Sequence, residues 1–232
     1  MGSDVDVTAR NIFVVDDDTS VRNGVARLLR SAGYQVETYP SAEAFMASRH
    51  GSGPGCLVLD IRMPDSTGLD LHERLLGSNS KLAVVFITGH GDIPTSVRAI
   101  KNGAIDFLAK PFDDVDLLAA VAQALSKSAH DHAVQDEIDS IKGRLDALTP
   151  REREVLGLVV TGMLNKQIAD AIGTSEKTVK VHRGRVMEKM RVRSLAELVQ
   201  ISAQVGIHGT RSIYPGAVSS ADPRPIKRLT LS

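Results

Sequence analysis

The chain has no tryptophan, and aromatic residues make up only 3% of it, so its cores are built from aliphatic side chains. Cys56 is the single cysteine, which excludes an internal disulfide. It lies inside an apolar run, where a small thiol serves as a core residue. No apolar stretch approaches the ~18 residues that a membrane-spanning helix needs. Met1–Arg10 lacks the apolar centre of a signal peptide. These absences predict a cytoplasmic protein with no membrane partner. Net charge is absent too, since 28 basic and 28 acidic residues cancel. The cancellation conceals a division. Residues 1–125 carry 11 basic and 16 acidic side chains, whereas residues 147–205 carry 10 and 6. An acidic front half and a basic back half predict different partners for each. The length of 232 residues has room for two small domains.

Residues 11 to about 125 alternate short β-branched runs with helical stretches. The runs lie near 11–15, 35–38, 56–59, 82–87 and 105–108, and the helical stretches near 19–32, 41–48, 66–77, 92–102 and 113–127. Gly33, Gly77 and Gly103 stand where helix stops are expected. This alternation predicts right-handed βαβ units in an α/β doubly wound, five-stranded parallel sheet. Four of the runs end in polar residues suited to phosphoryl chemistry. Ile12–Val15 leads into Asp16, Asp17 and Asp18; Cys56–Leu59 into Asp60; Val84–Ile87 into Thr88; and the 105–109 run into Lys110. In a doubly wound sheet ligands sit beyond the carboxyl ends of the strands. Asp16, Asp17 and Asp60 there would supply the hard oxygen donors that Mg²⁺ prefers. An acidic triplet alone also suits a solvated turn, but its coincidence with Asp60 and Lys110 at other strand ends favours a site.

Residues 128–147 read as a helical linker. Val134, Ile138, Ile141, Leu145 and Leu148 recur at spacings of four and three, a short heptad seam. Either a dimer coiled coil or a helix resting one face on a domain would use it. Residues 148–204 read as an all-α domain of four helices. Thr149 and Glu152 form a capping box with Pro150 at the first helical position, and Ser194 and Glu197 form a second. Asn165 and Ser175 stand as caps between them. Residues 1–10 read as a tail, and 205–232, rich in Gly, Pro and Ser, as a disordered one.

Asp60-Ile61-Arg62-Met63-Pro64 followed by Thr67-Gly68 resembles the phosphoacceptor loop of bacterial response-regulator receiver domains. Val15-Asp16-Asp17-Asp18 resembles their acidic pair. Thr88-Gly89-His90-Gly91-Asp92 and Lys110-Pro111-Phe112 resemble their remaining signatures, in order and at suitable spacing over about residues 10–125, which places a receiver domain at 11–127. The resemblance implies a flavodoxin-like receiver. In it Asp60 is the phosphoacceptor, and Asp16, Asp17, Asp60 and the backbone carbonyl of Arg62 hold Mg²⁺. Thr88 and Lys110 contact the phosphoryl oxygens, and Phe107 is the aromatic that turns inward on activation. It also implies a cis Lys110–Pro111 bond, and a switching surface made of the helix near 92–102, the strand after it and the helix from 113. The acidic pair maps to Asp16 and Asp17, leaving Asp18 as a loop or helix-start acid.

Leu148–Leu156, Gly162, Asn165-Lys166-Gln167-Ile168-Ala169 and Ser175–His182 resemble the LuxR-type helix-turn-helix module. Val179, Val186 and Met190 fall on one helix face, with Ile168 and Ile172 expected against them. Lys177, Lys180, Val181 and Gly184 fall on another. A recognition helix offers such residues to base edges. Lys180 suits guanine O6/N7 and Val181 a thymine methyl. Lys166, Lys177, Thr178, Arg183, Arg185 and Lys189 complete the candidate DNA contacts. Gly184 departs from relatives that carry a longer polar side chain there. His182 has no second ligand at metal-binding spacing.

Both motif sets in one chain are similar to the FixJ/NarL type of two-component response regulator. The resemblance implies a sensor histidine kinase, double-stranded promoter DNA and the transcription machinery as partners, with a homodimer formed on phosphorylation. It implies a switch rather than an enzyme. One alternative is a Mg²⁺-dependent phosphatase or phosphotransferase using Asp60. Arg62 stands where haloacid-type hydrolases place a second aspartate. A constitutive DNA-binding regulator with a degenerate receiver is the other.

Overall fold

The computed structural model describes residues 11–48, 53–64, 66–78, 80–89, 100 and 102–207. Residues 1–10 and 208–232 of the expected tails, His90-Gly91-Asp92 and nearly all of the expected 92–102 helix lie outside the described residues. The tail expected from 205 starts too early: Val205 caps the last helix, and Val205 and Ile207 pack against the second unit's core. The chain divides between Asp136 and Glu137 into two compact units.

In the first unit, β1 (Asn11–Val15), β2 (Gln35–Tyr39), β3 (Gly55–Asp60), β4 (Ala83–Thr88) and β5 (Asp106–Ala109) form one parallel sheet in the order β2-β1-β3-β4-β5. The period of two along each strand sends alternate side chains to opposite layers. Phe13, Val15, Leu57, Leu59, Val84 and Phe86 pack with Ala42 and Phe45 of α2 (Ala42–Ala47) and with Leu71 and Leu75 of α3 (Gly68–Gly77). Ile12, Val14, Cys56, Val58, Val85 and Ile87 pack with Val25 and Leu29 of α1 (Thr19–Ser31) and with Leu117, Val121 and Ala124 of α4 (Asp114–Asp146). Each fully buried aliphatic side chain contributes about 1.5–3 kcal/mol. With both faces covered, β3 and β4 are buried along their whole length, which is why they read as unbroken apolar runs. Burial pushes the Cys56 thiol pKa far up and leaves it an inert core residue.

Several local details differ from the sequence expectation. Gly77 lies inside α3, and Ser78 makes the cap. Asp60 and Thr88 are themselves the last residues of their strands. The helix expected to stop at 127 continues to Asp146, because no proline and only Gly143 interrupt the stretch. Residue 128, expected to open the linker, belongs to the first unit. The buried Ser128 hydroxyl accepts from Gly55 N at 3.0 Å and donates to Lys81 O at 2.7 Å. The heptad seam is divided as well. Ile141, Leu145 and Leu148 are buried in the second unit's core, Ile138 is half-buried and Val134 is exposed.

The second unit contains α5 (Pro150–Val160), α6 (Asn165–Ile172), α7 (Glu176–Lys189) and α8 (Leu195–Gln204). Val155, Leu156, Val159, Ile168, Val179, Val186, Met190 and Leu198 fill its core together with the end of α4. The Thr149–Glu152 capping box forms in full. At Ser194 only half the expected box forms: its hydroxyl accepts from Glu197 N, but Glu197 Oε2 accepts from Arg193 N. Asn165 is the first residue of α6 rather than its cap, a position held by Leu164. Gly173 closes α6 at φ 65°, a left-handed turn that suits glycine.

Candidate functional site

Parallel pairing aligns the carboxyl ends of the central strands. Val15 lies beside Leu59, Asp60 beside Ile87, and Thr88 beside Ala109. The polar residues that end these strands therefore share one edge. Lys110 Nζ lies 2.7 Å from Asp16 Oδ2 and 3.2 Å from Asp60 Oδ1. Asp16 and Thr88 are fully buried, Asp60 nearly so, and Asp17 is exposed. Asp16, Asp17 and Asp60 each present a carboxylate oxygen within 4.8 Å of the others. Three hard oxygen donors at that separation fit a divalent cation that keeps part of its water shell.

The main chain around this cleft is held in place. Asp18 caps α1 by accepting from Ser20 N and Val21 N, and its own N–H donates to Asp16 Oδ1 at 2.8 Å. Arg22 Nη1 donates to the carbonyls of Asp16 at 2.6 Å and Asp17 at 3.2 Å. Arg62 is exposed and bridges to Thr67, closing the loop after β3. Lys110–Pro111 is cis. Phe107 is half-buried and packs on the sheet layer that contains Phe86.

Burial raises the Asp60 pKa; the charge of Lys110 opposes that rise, and Asp16 adds to it. Burial pulls the Lys110 ammonium down, but its hydrogen bond to Asp16 and the charges of Asp16 and Asp60 outweigh this and raise its pKa. A buried carboxylate beside a fixed cation is a nucleophile held against water, in a site that can accept further negative charge.

In the second unit α7 turns Val179, Val186 and Met190 inward, with Ile168 and Ile172 packed among them. Lys166, Lys177, Thr178, Lys180, Val181, Gly184 and Arg185 are exposed. Two candidate contacts are engaged inside the fold instead. Arg183 Nη1 donates to Asn165 Oδ1 at 3.1 Å, tying α7 to α6. Lys189 Nζ donates to Glu152 Oε2 at 2.6 Å and to Ala147 O at 3.1 Å. The reason is position. At the end of α7, Lys189 meets the buried Glu152 carboxylate of the capping box.

The hydrogen bond from Lys189, with that from Thr149 N, lowers the Glu152 pKa from 4.5 to about 2. A depressed carboxyl contributes stability that is fully present above its unfolded value and is lost as pH falls through the folded one. Glu152→Gln is therefore expected to destabilise the second unit by about 2 kcal/mol near pH 7. The gap should narrow below pH 4.5 towards pH 2. Urea titrations of both proteins across that range check this; a gap that does not depend on pH contradicts it.

The family description "Response regulator receiver domain" matches residues 12–122, and "Bacterial regulatory proteins, luxR family" matches residues 146–202. Nodulation protein W of Bradyrhizobium diazoefficiens is 45% identical over 84% of this chain and 86% of its own length. The chain belongs to the response regulators. Its two units are a receiver domain and a LuxR-type DNA-binding domain. The transcriptional regulatory protein FixJ of Rhizobium meliloti is 40% identical over 86% of this chain and 98% of its own. A solved structure of the response regulator StyR covers 84% of this chain and 99% of that one, at 47% identity and a TM-score of 0.76. Relatives that span both units, such as FixJ, are named transcriptional regulators, and a receiver joined to a LuxR-type unit implies histidine kinase signalling and DNA binding. Among the described residues no helix is long and apolar enough to cross a membrane.

Sequence reasoning missed two residues of the receiver site. Arg22 carried no visible signal, since a lysine or arginine on an exposed helix is usually solvated. Gly68 was read only as part of a motif. A Cβ there would lie 2.3 Å from Asp60 O, so the first turn of α3 passes directly against the backbone of the candidate acceptor.

Proposed function

We propose that Asp60 accepts the phosphoryl group of a sensor kinase's phosphohistidine, and that this modification controls promoter binding. An Asp60 carboxylate oxygen forms the new bond to phosphorus as the phosphorus–nitrogen bond breaks, and the histidine nitrogen keeps the electron pair. Asp16, Asp17, Asp60 and the backbone carbonyl of Arg62 would hold Mg²⁺. When bound, the ion offsets the repulsion between the carboxylate and the phosphoryl oxygens. Lys110 supplies a fixed cation to one phosphoryl oxygen, the Thr88 hydroxyl donates to another, and Phe107 turns inward as Thr88 moves. Asp60 is consumed once per event and regenerated by hydrolysis, so the cleft acts as a switch. Lys110 bridging Asp16 and Asp60 is the observation that carries this reading.

The modified receiver pairs with a second copy, and the pair delivers two α7 helices to adjacent half-sites of double-stranded DNA, from which the transcription machinery is engaged. Lys180 and Val181, with Lys177 on the same face, read base edges, while Lys166, Thr178 and Arg185 meet phosphates. Light scattering of the full chain with and without beryllofluoride and Mg²⁺ tests the pairing; an unchanged mass sinks it. Duplexes enriched from a random pool test the readout. Lys180→Ala should weaken binding roughly tenfold and relax preference at one base pair per half-site. Lys166→Ala should weaken all sequences alike and reduce the salt dependence. Identical effects of the two substitutions would refute the assignment.

A further inference from the structure

Gly184 sits in the interior of α7, where glycine is among the least favourable residues. A folded chain keeps such a glycine for a left-handed backbone or for want of space. Neither applies. Gly184 is not among the glycines with positive φ, and a Cβ built on it meets nothing within 4 Å. Gly24 and Gly143 are equally open, so openness alone assigns nothing. What distinguishes Gly184 is its face. It follows Lys177, Lys180 and Val181 by seven, four and three residues, spacings that stack side chains on one side of a helix. All four residues are exposed, and Val181 leaves 49% of its surface open one turn before the glycine. The face thus carries the exposed methyls of Val181 one turn from helix backbone that no side chain covers, with Arg185 beside it.

We infer that Gly184 determines specificity: it lets α7 seat deeply in the major groove and, with Val181, receives a thymine methyl group. The inference rests on α7 being the helix that enters the groove. The C5-methyl of thymine is the apolar group that base pairs present there, and a side chain at 184 would hold the helix away from it.

The test uses the full chain activated with beryllofluoride and Mg²⁺, and duplexes enriched by the wild-type protein from a random pool. Gly184→Ala should slow amide exchange across Glu176–Lys189 by about fivefold, because alanine suits the helix better. Its affinity for the enriched duplex should nevertheless fall roughly tenfold. Replacing one thymine per half-site with deoxyuridine should weaken the wild type several-fold and Gly184→Ala much less. A Gly184→Ala protein that binds like the wild type overturns the inference. So does a duplex in which no deoxyuridine matters. A wild-type protein that enriches no duplex overturns the reading of α7 itself, and the inference with it.

Discussion

Asp60→Asn is expected to abolish phosphoryl uptake and every response that depends on it, while leaving the receiver folded. Asparagine has the shape of aspartate but lacks the carboxylate nucleophile, so no acyl phosphate forms. Stability should change little. Burial already raises the pKa of Asp60, which means the fold carries a cost for its charge. An amide removes that cost, and Lys110 keeps its 2.7 Å partner in Asp16. The unfolding free energy from urea titration should therefore stay within about 0.5 kcal/mol of wild type, or rise. Intact mass after treatment with a small acyl phosphodonor and Mg²⁺ reports the uptake, and light scattering and duplex binding report the response. A variant that still gains phosphate would place the acceptor elsewhere. One that takes up none yet pairs and binds DNA in a donor-dependent way would disconnect this cleft from the output.

Much of the cleft is legible in the sequence. Strands buried on both faces must be unbroken apolar runs, and the residue that ends such a run must lie at the sheet edge. Asp60 and Thr88 end such runs, whereas Lys110 follows the half-buried edge strand β5, whose run Asp106 breaks; parallel pairing brings these strand ends together. Where α4 ends was not legible. No proline occurs between Asp114 and Asp146, and the helix runs through Gly143, the one glycine there. The sequence shows a change from apolar to charged composition near residue 128, but composition does not terminate a helix. The basic residues of the DNA-binding unit were only partly legible for a different reason. Lys189 and Arg185 look alike in sequence; one meets a buried carboxylate on a neighbouring helix and the other stays exposed. That distinction is tertiary. The same holds for Gly68, whose significance depends on which backbone it faces.

Gly68→Ala is expected to be the most damaging single-methyl change in the receiver. The added Cβ would lie 2.3 Å from Asp60 O, 3.1 Å from Asp60 C and 3.0 Å from Leu59 Cγ. Two of these are backbone atoms of β3, which is hydrogen-bonded into the sheet between β1 and β4 and cannot yield alone. Gly68 also donates its N–H to Ile61 O at 2.9 Å, so α3 cannot simply lift away. Its φ is not positive, so the constraint is space rather than backbone conformation. Strain of this kind costs about 2 kcal/mol. Relief by shifting the end of β3 would move the Asp60 carboxylate from its place beside Lys110. A misplacement near 1 Å can lower reaction rates by about 100-fold, and acylation by a small phosphodonor should slow on that scale. Gly24→Ala provides the contrast. That glycine is exposed on α1 with nothing within 4 Å of its Cβ, so alanine should stabilise the receiver by about 0.5–1 kcal/mol and leave acylation unchanged. If Gly68→Ala acylates at the wild-type rate, the close passage of α3 does not position the acceptor. If it destabilises the receiver too far for acylation to be read at room temperature, Gly68→Ser cannot decide the matter either, because serine carries the same Cβ. The deciding measurement is then the amide exchange of β3 in Gly68→Ala at low temperature. Loosening that begins at Leu59 and Asp60 and spreads outward supports the steric account, while uniform loosening of the whole sheet contradicts it.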